Sequence, residues 1–145
     1  MEESLHYLLM ADHSLLQKSF FAGIRETELT PGQPKILDYL SDHDGVVQKE
    51  IAEGCYIEPA TMTSVLLGME KKGLVVRKNL NGNRRNLYVY LTDKGRTLAA
   101  KIRSKFGAIE EEALFGFDDD EREKLIDLLM RVNKNLQGGV RHEEN

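Results

Sequence analysis

The chain has no tryptophan, three prolines and one cysteine among its 145 residues. A lone thiol, Cys55, cannot form an internal disulfide, which excludes a disulfide-framed scaffold and fits a reducing cytoplasm. No run of about 18 apolar residues is present, so no membrane-spanning helix is expected. The opening Met1-Glu2-Glu3 lacks the basic start of a signal peptide. Also missing are the P-loop, Gly-x-Ser-x-Gly, Cys-x-x-Cys and His-Glu-x-x-His patterns that organise phosphate, acyl, redox or zinc chemistry. No catalytic residue, cofactor or metal site is therefore expected. His6 and His13 share a helix face, but without a dense His/Cys/Glu cluster around them they read as solvated or interface residues. The acids of 110–112 and 118–120 read as solvent faces and a helix start.

What the chain does have is segregated charge. Eleven of its 20 Lys and Arg residues fall between Lys71 and Lys105, where Asp93 is the sole acid. Outside that segment nine basic residues face twenty-three acidic ones, in a protein of formal net charge −4. Phosphate is the natural counter-charge for such a segment, and a solvated charged face is the alternative.

Apolar periodicity orders the rest. Leu5, Leu8, Leu9, Leu15, Leu16, Phe20 and Ile24 recur at helical spacing and predict a first amphipathic helix. Thr30-Pro31-Gly32-Gln33 predicts a second helix start, with Thr30 as cap, Pro31 in the first turn and Gln33 completing a capping box. Ile36, Leu37 and Leu40 form its buried stripe, and 42–45 ends it. A short helix over Gln48–Glu53, a Gly54-Cys55-Tyr56 turn and a helix from about Pro59 to Lys72 make a helix-turn-helix pattern, closed by Gly73.

Past Gly73 the period changes to 2. Leu74–Asn79 and Asn86–Leu91 predict two strands around Asn81-Gly82. Thr92 then caps a helix through Leu98, Ile102, Phe106 and Ile109. A last helix runs from near Asp118 through Leu125, Leu128, Leu129, Val132 and Leu136, and 138–145 reads as a disordered tail. The expected fold is mainly α with a small β-hairpin wing, a winged helix-turn-helix. Its first and last helices are too apolar on one face to stand alone; they need each other or a second subunit.

In order and spacing, these segments resemble the MarR family of bacterial transcriptional regulators. The resemblance rests on 29–33 (Leu-Thr-Pro-Gly-Gln) with Leu37 and Leu40, 48–52 (Gln-Lys-Glu-Ile-Ala), and 57–63 (Ile-Glu-Pro-Ala-Thr-Met-Thr). It continues in 69–75 (Met-Glu-Lys-Lys-Gly-Leu-Val), Arg84-Arg85, and 91–96 (Leu-Thr-Asp-Lys-Gly-Arg), and it covers roughly 5–137. It implies a domain over 1–137, with 30–92 as the DNA-binding lobe and 5–28 plus 93–137 as a helical dimerisation region. A homodimer would bind a double-stranded operator, and a small-molecule effector would sit between the two regions.

Carried onto this chain, the recognition helix offers Ala60, Thr61, Thr63, Ser64 and Leu67, with Gly68 beside them, opposite a core stripe of Met62, Val65, Leu66 and Met69. Hydroxyls can reach base edges or phosphates, and methyls can touch thymine; Thr61 can instead cap the helix. Ser64 stands where the family often has Arg, and Leu67-Gly68 where it often has an acid followed by Arg, so shape and wing contacts gain weight. At the wing, Arg85 suits a narrow minor groove and Arg84 a phosphate, with a solvated hairpin tip as the alternative. Asn83 replaces a frequent Asp, which predicts a wing mobile without DNA. Gln48 and Lys49 suit a phosphate at a helix start. Arg77, Lys78 and Arg96 read as phosphate contacts or intramolecular ion pairs. Tyr7, His13, Phe20 and Phe21 are candidates for an effector pocket or for dimer packing. Cys55, in the turn of the motif, reads as a small packed core residue rather than an oxidant sensor.

The function expected is that of a cytoplasmic, ligand-responsive repressor binding a pseudo-palindromic operator as a homodimer, with no enzymatic activity. The alternative is a winged-helix interaction module docking an acidic partner.

Overall fold

Ser4 starts the first helix, its Oγ accepting the Tyr7 N–H at 3.4 Å. In the computed structural model, which describes residues 2–80, 82 and 87–143, this helix, α1, spans Leu5–Ala22. It stops earlier than the periodicity suggests. Gly23 caps it, a 3₁₀ turn covers Arg25–Thr27, and Glu28 adopts a left-handed conformation (φ 58°). Ile24 has left the helix but is buried in the core.

The second helix, α2, spans Gln33–Asp42 and begins later than the capping-box reading places it. Gly32 is the cap residue, and its φ of +93° lies outside the helical range. Pro34, not Pro31, occupies the first turn. Half of the expected box does form: Gln33 Oε1 accepts the Thr30 N–H at 3.1 Å.

Strand β1 (Val46–Val47) leads into α3 (Gln48–Cys55) and then α4 (Pro59–Lys71). Gly54 and Cys55 belong to α3, and Tyr56 makes the turn in a left-handed conformation (φ 54°). Gly73, at φ +73°, closes α4 as expected. Strands β2 (Val75–Asn79) and β3 (Leu87–Leu91) pair antiparallel, from Val75 opposite Leu91 to Asn79 opposite Leu87. The sheet has three strands rather than two, in the order β1-β3-β2, with Val46 opposite Val89. A two-residue strand carries no alternation, so β1 leaves no signal in the sequence.

α5 spans Asp93–Ala113, and the Thr92 hydroxyl caps it by accepting the Gly95 N–H at 3.0 Å. α6 spans Asp119–Glu143. Asp118 and Glu121 cap its start reciprocally, with Glu121 N–H donating to Asp118 Oδ1 at 2.8 Å and Asp118 N–H to Glu121 Oε1 at 3.0 Å. The helix continues through Gly138-Gly139 where a disordered tail is expected. Each glycine costs about 1 kcal/mol relative to alanine, but elongating an established helix needs no new nucleus.

The chain divides into two compact units, 1–109 and 110–145. The core of the first draws Ile36, Leu37 and Leu40 from α2, Ile51 from α3, Met62, Leu66 and Met69 from α4, and Val89 from β3, all fully buried. Each such burial contributes about 1.5–3 kcal/mol. Phe20 joins them, stacked on Phe106 with ring centroids 4.1 Å apart. In the second unit Arg122 bonds Glu111 Oε1 at 2.9 Å and the Leu114 carbonyl at 3.2 Å, tying α6 to the end of α5.

Candidate nucleic-acid interface

α4 has two unlike faces. Met62, Leu66 and Met69 are fully buried, with Val65 packed beside them, as the stripe requires. Ala60, Thr61, Thr63, Ser64 and Leu67 are exposed. Between Pro59 and Met69 there is no charged residue, so this surface presents methyls and hydroxyls alone. Thr61 does not cap the helix, because Glu58 is the cap residue and no side-chain cap bond is made there. Ser64 Oγ donates to the Thr61 carbonyl at 3.0 Å.

Gly68 does not belong to that outward face. A Cβ at position 68 would stand 3.0 Å from Gln33 Nε2, so the glycine seats a buried side chain from α2. A motif reading of 67–68 has no view of a neighbour thirty-five positions earlier.

α3 and α4 are joined at their exposed ends, where Gln48 Nε2 donates to Thr63 Oγ1 at 3.1 Å. Thr63 keeps its own hydroxyl proton to give. Lys49 is exposed next to Gln48, at the positive end of α3. Gln48, Lys49, Thr63 and the rest of the α4 face thus form one continuous candidate surface.

The basic segment is sorted by its partners. Arg77 on β2 pairs with Glu70 on α4, the intramolecular ion pair expected as the alternative to a phosphate contact. Arg96 bonds Asp93 Oδ1 at 2.5 Å and the Leu91 carbonyl at 3.1 Å. Lys101 meets Glu26, and Arg103 meets both Asp38 and Asp42. Lys78 lies 5.3 Å from the Tyr90 ring centroid, a cation–π distance. Arg77, Lys101 and Arg103 of the segment therefore close onto acids brought in from other elements. Asn83, Arg84 and Arg85 lie outside the described residues, and the expectations about wing tip and wing mobility lie there with them.

The four candidate effector residues are not brought together. Phe20 is spent on the core, Tyr7 is half-buried, and His13 is exposed on α1. Tyr7 and Phe21 stand about 21 Å apart along the helix, at 1.5 Å per residue. Phe21 does line a concavity of about 490 Å³, with Lys18, Ala22, Ile24, Arg25 and Leu29. Lys18, Arg25 and Leu29 escaped the periodicity reading because the end of α1 and the 3₁₀ turn break the helical register.

Cys55 is buried, its Sγ 3.5 Å from the Lys35 carbonyl. Burial pushes the thiol up to about 11, above its ordinary 9.0. It stays protonated near neutral pH and lacks the thiolate character of a reactive cysteine. Among the described residues no group of three or more His, Cys, Asp or Glu could hold a metal ion, and no helix is long and apolar enough to cross a membrane.

Known proteins resemble this chain in sequence and in fold. The uncharacterized HTH-type transcriptional regulator YybA of Bacillus subtilis is 26% identical over 113 residues, 78% of this chain and 75% of that one. The organic hydroperoxide resistance transcriptional regulator of the same organism is 29% identical over 101 residues, 70% of this chain and 69% of that one. A MarR-family regulator from Listeria monocytogenes, crystallised in complex with a 26mer DNA, superimposes with a TM-score of 0.83 at 26% identity, covering 94% of this chain and 90% of that one. The MarR family pattern itself matches residues 29–87, from the turn before α2 to the start of β3. With the winged helix-turn-helix in place and its helices in the expected order, the chain resembles the MarR family of regulators in both sequence and fold.

Proposed function

We propose that this protein is a cytoplasmic, sequence-specific double-stranded DNA-binding transcriptional regulator, a non-enzymatic and ligand-responsive repressor that acts as a homodimer. The observation that carries this reading is α4, whose one face is fully buried while the other is exposed, uncharged and bonded to the start of α3. A helix so anchored can lie in a major groove with Ala60, Thr61, Thr63, Ser64 and Leu67 against base edges. Gln48 and Lys49 meet the phosphates alongside, and Arg84 and Arg85 supply the wing contacts. The DNA complex of the Listeria relative supports the same role.

Leu8, Leu9, Leu15 and Leu16 on α1 and Ile126, Leu129 and Met130 on α6 are exposed, which fits burial against a second copy. Two recognition helices about 34 Å apart would then read a pseudo-palindrome. The concavity at the end of α1 combines apolar walls with Lys18 and Arg25, a setting for a small apolar anion. An effector there represses DNA binding to the extent that it prefers the DNA-incompetent geometry.

Selection from a random duplex pool with the purified protein tests the reading. Enrichment of a pseudo-palindrome is expected, with affinity falling steeply as salt rises and weakened by Arg85→Ala while the dimer persists. Retention without enrichment would reduce the role to non-specific binding. No retention at low salt would overturn it in favour of an acidic protein partner.

A further inference from the structure

The last turn of α4 is gripped by the residue that follows it. Lys72 sends its Nζ to two acceptors, the Glu28 carbonyl and Gln33 Oε1, each at 2.8 Å. Its own carbonyl accepts from Lys94 Nζ at 2.8 Å, and the Gly73 carbonyl accepts from Thr92 Oγ1 at 2.6 Å. The turn before α2, the first residue of α2 and the start of α5 therefore converge on one ammonium and its peptide.

Gln33 is the buried polar residue of this core, 3% exposed. Its Oε1 also accepts the Thr30 N–H, and its Nε2 rests against α4 where Gly68 leaves room. Glu28 holds a left-handed conformation that costs a non-glycine residue about 1–2 kcal/mol. Strain of that kind persists where surrounding contacts over-determine the backbone. At the opposite end of α4 no side chain caps the helix, and Gln48 reaches it at Thr63.

We infer that Lys72, acting through Gln33 and Glu28, is a positioning residue that sets the pitch of α4 on α2, and not a phosphate contact. This rests on the DNA-binding reading above. The 13 residues of α4 make a lever of about 20 Å, so a tilt of about 10° at the Lys72 end displaces the other end by about 3 Å. That is larger than the whole range of distances over which a hydrogen bond to a base edge survives. One ammonium that fixes the distal end thus governs the register of Ala60, Thr61, Thr63 and Ser64 without touching DNA.

Lys72→Met keeps the stem and removes the donor. On the duplex enriched from the random pool, the variant should bind roughly tenfold more weakly, the loss expected for a charged hydrogen bond. Its slope of log affinity against log salt should equal the parent's, with the dimer intact. A phosphate contact would instead lower that slope by about one, and that result overturns the inference. Gly68→Ala should weaken binding by pushing on Gln33, and the double variant should be no worse than Lys72→Met alone. Additive losses would also overturn it. Without DNA, Lys72→Met should speed hydrogen exchange in the last turn of α4, and unchanged exchange would count against it. If the parent enriches no duplex, the regulator reading fails, and the exchange measurement alone decides whether Lys72 holds that helix end.

Discussion

Arg103 on α5 straddles Asp38 and Asp42, which stand one turn apart on α2. Its Nε donates to Asp38 Oδ1 at 3.0 Å and its Nη2 to Asp42 Oδ2 at 2.8 Å. Carboxylates four residues apart on one helix face are spaced for a single forked guanidinium. The pair spans 61 residues of sequence, so it fastens the middle of α5 to the helix that supports the recognition motif.

This clasp predicts acid sensitivity. The Arg103 hydrogen bond, reinforced by its charge, holds the Asp42 carboxyl below its ordinary 3.8. Lys101 does the same for Glu26 below 4.5. A carboxyl depressed by folding contributes fully above its unfolded value, and that contribution fades as pH falls through the folded value. Melting temperature should therefore drop on acidification into this range, and Arg103→Leu should make the drop shallower. Parallel Tm–pH curves for parent and variant would remove the clasp from the account.

Cys55 should be inert in the folded protein. With its pKa at about 11, iodoacetamide at mildly alkaline pH should label it slowly until denaturant exposes it. The sign runs opposite to that of Asp42. An acid whose pKa rises on folding supports the fold fully below its unfolded 9.0 and loses that support as pH climbs towards 11. Rapid native labelling would place Cys55 among accessible, reactive thiols.

Two glycines of α5 should respond oppositely to alanine. A Cβ at Gly95 would stand 2.0 Å from the Leu74 carbonyl oxygen, a backbone atom with nowhere to go. Gly95→Ala should cost at least about 2 kcal/mol and lower Tm by several degrees. Gly107 has nothing within 4 Å, and Gly107→Ala should stabilise by about 0.5–1 kcal/mol through helix propensity. Urea titrations of the two variants check both signs.

Leu129→Glu should weaken self-association. Leu129 is exposed on α6, between Ile126 and Met130 along a concavity of about 610 Å³. A carboxylate buried there without a partner costs several kcal/mol per subunit contact. Sedimentation equilibrium should show monomer where the parent is dimeric. An unchanged mass would move the interface elsewhere.

Much of this was legible in the residues themselves. The stripe of Met62, Leu66 and Met69, the Gly73 stop, the Thr92 cap and the Asp118 start are local patterns with local causes. Relations between distant residues were hidden. Nothing near Arg77 in sequence distinguishes an arginine that pairs with Glu70 from one free to meet phosphate. Gly68 resembles a gap in the recognition face until Gln33 is found behind it. Gln33 is a helix-start residue by its local pattern, but its larger role depends on Lys72 arriving from the far end of α4.

The way α5 gathers acids from the first third of the chain has a kinetic consequence. Lys101 and Arg103 find their partners at Glu26, Asp38 and Asp42, more than sixty residues away. In the unfolded chain these are opposite charges at the two ends of long loops, and their attraction offsets part of the entropy of closing them. Folding rate is ordinarily limited by such distant encounters. Added salt shortens the reach of the attraction to about 10 Å at 0.1 M. The refolding of this protein should accordingly slow as ionic strength rises, so the charge segregation of its sequence acts as a guide for assembly before any nucleic acid is present.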